Sequence, residues 1–332
     1  MKVKGLLLRV GVSVAALALV FYMVPLADIR ADIANCDGYW LVAGVALQLL
    51  VRVITAVRMT ILAAFQKLEL GFLSMLRIVF VSAFYGLFLP GALVGGAVTF
   101  VKYLQYGGSA AASLTNVLAN KGYEILSAGL LVLLAWLALN GVEPRWFPLV
   151  TILLTVLFLL FVKALFSGLI AFGRLQRWLQ IKPGKLAGHT VKILHQLEAL
   201  GRFSWTQTII LVVASFIVHA LSATSMFCFA VSLDIPVPFA ALILVYALVY
   251  LLALLPVSFS NIGVREAGMI FLFQPFGVSA AEAAAWSVIM YSGLLVSAAF
   301  GGVMEMCGPS PLPCKGDRGD KVDREDKGGE AQ

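Results

Sequence analysis

Long apolar runs separated by short polar breaks dominate this chain. Runs with few charges cover residues 6–24, 39–65, 73–89, 117–139, 146–172, 207–231, 239–256 and 283–304, with a shorter apolar piece at 265–276. Each is a helix candidate, and about 20 apolar residues suffice to cross a bilayer. Two of the runs are interrupted. Residues 86–98 read GLFLPGALVGGAV, and residues 254–268 read LLPVSFSNIGVREAG. Proline stops a helix and glycine permits a sharp turn, so breaks are expected at Pro90, Gly91, Pro256 and Gly263.

Composition settles the solvent. Of 332 residues 61% are hydrophobic and 12% charged, which excludes a soluble fold, a disordered chain and a nucleic-acid binder. The first run is too long for the apolar core of a signal peptide and has a poor cleavage site at 25–28, so it reads as a retained helix. The tail after Met306 has alternating charge and almost no apolar residues. A membrane domain over 1–306 and a disordered, charged cytoplasmic tail over 307–332 are therefore expected.

Charge then limits the number of crossings. Residues 174–204 are polar and basic, with Arg174, Arg177, Lys182, Lys185, Lys192 and Arg202 against Glu198 alone. Leu186, Ile193, Leu197 and Leu200 share one helical face there, as in a helix lying on the bilayer surface. Basic segments stay in the cytoplasm, as do Lys2, Lys4 and Arg9. Eight plain spans would place the basic stretch outside. Treating 73–105 and 239–276 as re-entrant hairpins restores the rule. The expected fold is thus an all-α polytopic membrane protein with about six spanning helices and two broken hairpins, both termini cytoplasmic. Eight plain transmembrane helices are the alternative.

Irregular backbone at membrane depth must be buried in protein or line a wet cavity, and broken helices hold the sites of many transporters. Polar residues inside the runs are therefore the candidates. Lys121 and Glu124 are spaced to pair on one face. Arg58 and Arg77 suit either a site or a headgroup anchor. Arg265 and Glu266 follow the second break, and Asn261 and Gly263 precede them at a helix start suited to an anion such as phosphate. The substrate-binding candidates are Arg58, Lys121, Glu124, Asn261, Gly263, Arg265 and Glu266. His219 suits an interhelix hydrogen bond better than a proton relay. All six tryptophans read as an interfacial belt. The four cysteines show no metal or disulfide pattern, and no cofactor is expected. Asp28 and Asp32 are the one hint of a metal-diphosphate enzyme, and they lack flanking support.

Four blocks in order, 28–58, 88–105, 116–135 and 254–271, resemble the flippase-like integral membrane family, that of the lysylphosphatidylglycerol synthase transmembrane region. The most specific pieces are Phe88-Leu89-Pro90-Gly91 and the block from Pro256 to Gly263-Val264-Arg265-Glu266. The chain departs from the family pattern at Ala92-Leu93-Val94 and at Asn120-Lys121. The resemblance implies translocation of a phospholipid or lipid-linked anionic headgroup in a bacterial or archaeal inner membrane. Only a short charged tail follows the membrane region, so aminoacyl transfer is not expected. Membrane lipids are the expected partners, with a lipid-modifying enzyme as a further one. A membrane transferase and a non-catalytic partner of such an enzyme are the alternative functions.

Overall fold

Helix ends in this protein are written into the sequence by small polar residues ahead of each long run. Ser109 accepts from the Ala112 amide, and Ser204 and Ser279 form reciprocal capping boxes with Gln207 and Glu282. Each cap satisfies amides that a helix start would otherwise leave unpaired. A computed structural model describes residues 33–66, 68, 70–88, 94–106, 109–139, 204–254 and 263–307. Among them are eight α-helices and no strand: α1 Gly38–Phe65, α2 Phe72–Phe88, α3 Val94–Gln105, α4 Ala110–Ala138, α5 Trp205–Ser232, α6 Phe239–Ala253, α7 Val264–Phe273 and α8 Ala280–Met306.

Four of these, α1, α4, α5 and α8, are long and apolar enough to cross a membrane. They run in two directions. The Asp37 amide donates to the Ser232 carbonyl at 2.7 Å, and the Asn116 amide donates to Gln66 at 2.8 Å. The start of α1 therefore meets the end of α5, and the end of α1 meets the start of α4. Trp286 near the start of α8 donates to the Met226 carbonyl late in α5. So α1 and α8 run one way, and α4 and α5 the other. One end of the bundle carries Gln66, Ser109, Ser204 and Cys307, and the opposite end carries Asp37, Asp234 and Ser279.

The interrupted runs fold back on themselves. Ser82 and Thr99, equally far from the Pro90-Gly91 break, join hydroxyls at 3.0 Å. Tyr103 on α3 enters the same apolar cluster as Met75, Ile78 and Val79 on α2. In the second pair Gly268 on α7 lies against Leu252 and Val249 on α6. These arms have 17, 12, 15 and 10 residues. At about 1.5 Å per residue none reaches the ~30 Å of a hydrocarbon core. The first hairpin leaves and returns at the Ser109 end, and the second at the Asp234 end. The described arms of both interrupted runs thus fold back as hairpins. The turn residues Pro90, Gly91, Pro256 and Asn261 lie outside the described residues, as do the runs 6–24 and 146–172, the basic stretch 174–204 and the tail.

Packing against α8 depends on close approach. A Cβ on Gly301 would stand 2.0 Å from the Phe80 carbonyl oxygen on α2, so only glycine fits there. Trp286 departs from the interfacial expectation. It is fully buried and stacks on Phe273 with ring centroids 4.6 Å apart. Its run begins at Ala280 rather than 283, which moves it inward by a turn. Trp205, by contrast, is exposed at the start of α5.

Candidate functional site

Glu124 sits on α4 where four helices meet. Its carboxylate accepts from Arg58 on α1, from Lys121 one turn back at 2.6 Å, and from the Tyr250 hydroxyl on α6 at 2.7 Å. Its backbone carbonyl lies 2.9 Å from His219 Nε2 on α5, and His219 Nδ1 lies 2.8 Å from the Tyr246 hydroxyl. The tyrosines are four residues apart on one face of α6, so one imidazole and one carboxylate hold that whole arm. His219 thus bonds between helices.

Arg58 is 1% exposed, which rules out headgroup anchoring for it. One guanidinium nitrogen donates to Ser215 Oγ at 3.1 Å, and Nε has no partner. Lys121 is 45% exposed at the rim of the same group. Arg52 on α1 lies within electrostatic reach of Glu124. Two cations, Arg58 and Lys121, pair with one carboxylate. A buried charge is costly unless paired, so a surplus of cations favours an added anion.

A polar stripe leads to this site along α4. Ser113, Asn120 and Glu124 project within about 40° of one another at the helical 100° per residue. Asn116 flanks them, accepting from Tyr103 on α3 at 2.9 Å and from Asn120 at 3.2 Å. Ser113 Oγ and Asn120 Oδ1 are buried without a hydrogen-bond partner. Each such group costs ~1–3 kcal/mol if left so, and buried water is the usual remedy.

A second carboxylate lies beside the second break. Gly263 has φ 84°, a conformation that favours glycine, and its amide donates to Glu266 at 2.5 Å. Glu266 also accepts from Ser287 at 2.9 Å and Tyr291 at 3.1 Å on α8, and from Arg265 at 3.2 Å. Arg265 lies 3.8 Å above the Tyr291 ring and donates to the Ser287 carbonyl. The anion at this helix start is the protein's own carboxylate, with its donors in place. A third group ties the first hairpin to α8. Lys102 and Tyr85 both reach Glu305, and Arg77 donates to the Met304 carbonyl at 2.6 Å.

The structure therefore joins Arg58, Lys121 and Glu124, and separately joins Gly263, Arg265 and Glu266. Sequence reasoning missed Tyr246, Tyr250, Ser215, Asn116 and Gln66. The i, i+4 spacings Tyr246/Tyr250 and Asn116/Asn120 were the available signal. Among the described residues no group of His, Cys, Asp and Glu could hold a metal. Asp28 and Asp32 lie outside the described residues.

Long apolar helices, two half-length hairpins from opposite ends and buried ion pairs define a multi-pass α-helical membrane protein. The family model described as the lysylphosphatidylglycerol synthase TM region matches residues 6–295, and the chain belongs to that family. No curated protein matches the chain.

Proposed function

We propose that this protein translocates lipids with an anionic headgroup, phospholipid or polyprenyl-linked, across a prokaryotic inner membrane. The observation that carries the reading is the surplus of cations around Glu124. Arg58 and Lys121 pair with one carboxylate, leaving one positive charge in excess, and Lys121 opens the group to the surroundings. A phosphate would take the place of Glu124 on Arg58 and Lys121, with charge-assisted hydrogen bonds. The acyl or prenyl chains would stay in the bilayer. Two hairpins entering from opposite ends supply the half-helices that transporters use around a central site. Family membership supports a lipid-related role.

The test is reconstitution into liposomes with labelled phosphatidylglycerol, phosphatidic acid, polyprenyl phosphate and phosphatidylcholine. Movement of at least one anionic lipid, lost in Lys121→Ala and kept in Lys102→Ala, is the expected result. Equal movement in the wild type and Lys121→Ala would reject this site. No movement of any lipid would reject the function.

A further inference from the structure

We infer that lipid movement at the Arg58–Lys121 site is coupled to protons, and that the polar stripe of α4 is the path by which they reach Glu124. The inference rests on reading Arg58 and Lys121 as the headgroup site. The stripe begins near the Ser109 end, where Asn116 joins Gln66 and Tyr103. It rises past Ser113 and Asn120 to Glu124, about 16 Å along the helix axis at 1.5 Å per residue. Its neighbours are α1 through Gln66 and Arg58, and α3 through Tyr103 and through Gly96, which approaches Val117.

Two atoms on this stripe demand further partners. Ser113 Oγ and Asn120 Oδ1 are buried and unbonded, and both lie on the face that leads to Glu124. A hydroxyl and an amide carbonyl are the groups that hold water in a file. Buried polar groups are usually satisfied by protein or water, so these two atoms suit bound water.

At the upper end, several groups face Glu124. These are Arg58 from α1, Lys121 from α4 itself, and the Tyr250 hydroxyl from α6; His219 from α5 bonds the backbone carbonyl, and Tyr246 from α6 bonds His219. An arriving phosphate competes for Arg58 and Lys121, the two cations in direct contact with the carboxylate. A displaced carboxylate in this setting loses its counter-charges and takes a proton. The proton leaves solvent at the Ser109 end and forms an O–H bond on Glu124. No covalent bond of the lipid changes. When the lipid departs, Glu124 releases the proton and returns to Arg58 and Lys121. Lipid anion and proton thus enter together, and the site keeps its net charge through the cycle.

The test uses the full chain in liposomes of phosphatidylcholine carrying the labelled anionic lipids named above, with a pH-sensitive dye inside. Lipid movement and internal pH are read together, with and without an imposed pH gradient. In the wild type, lipid movement should carry a pH change that reverses with the direction of the gradient. Asn120→Leu, which keeps Arg58 and Lys121, should slow both, while infrared difference spectra of wild type should show a protonated carboxyl on lipid binding that is absent in Glu124→Gln. Lipid movement with no pH change and no carboxyl signal overturns the coupling and leaves the lipid reading standing. Absence of any lipid movement overturns both.

Discussion

Arg58 is the residue on which the most interactions turn. It is buried, pairs with Glu124 and reaches Ser215, so α1, α4 and α5 share one charge. Removing one partner of a buried pair typically costs about 3–5 kcal/mol, because the other is left uncompensated. Glu124→Leu should therefore lower stability by that order, and Arg58→Met with Glu124→Leu should recover much of the loss. Thermal unfolding in detergent checks this; a double variant no more stable than the single would contradict it. The sequence named Arg58, Lys121 and Glu124, since charges within apolar runs stand out against their neighbours. It did not name Tyr250 or Tyr246, because a tyrosine in an apolar run has the same pattern as any core aromatic. Its hydroxyl matters only once α6 lies beside α4. Arg58 was legible as a charge and illegible as a partner, since 66 residues separate it from Glu124.

At the scale of elements, the two hairpins were the strongest expectation from the chain alone. Proline and glycine marked the breaks, and the arms match them. What could not be read was where α4 starts. The apolar run begins at 117, but the helix begins at Ala110, because Ser109 caps it and Asn116 pairs inward with Gln66. Those extra two turns, about seven residues, carry Ser113 and Asn116, which hydropathy counts as loop. The fold-back of the first hairpin has a direct consequence. Cysteines replacing Ser82 and Thr99, in a background without the native cysteines, should form a disulfide readily under mild oxidation. Their hydroxyls are 3.0 Å apart across the arms. Failure to cross-link in membranes would mean that α2 and α3 do not pair this way.

For the whole molecule, opposed hairpins flank the Glu124 group from the two ends of the bundle. The first hairpin is tied to α8 through Glu305, and the second is tied to α8 through Glu266 and to α4 and α5 through Tyr250 and Tyr246. Movement of either arm would exchange these polar bonds as well as shift apolar faces. Charge bookkeeping on the basic stretch led to this arrangement, since eight runs could not all cross without misplacing it. The common direction of α4 and α5, opposite to α1 and α8, is compatible with that count, and the basic stretch itself lies outside the described residues. The central claim, that an anionic headgroup is held at Arg58 and Lys121, is tested most directly by native mass spectrometry of the full chain with equal amounts of phosphatidylglycerol, phosphatidic acid, polyprenyl phosphate and phosphatidylcholine. The account predicts that the wild type and Lys102→Ala retain an anionic lipid in preference to phosphatidylcholine, and that Lys121→Ala loses that preference. Equal retention of every lipid by all three proteins would contradict it.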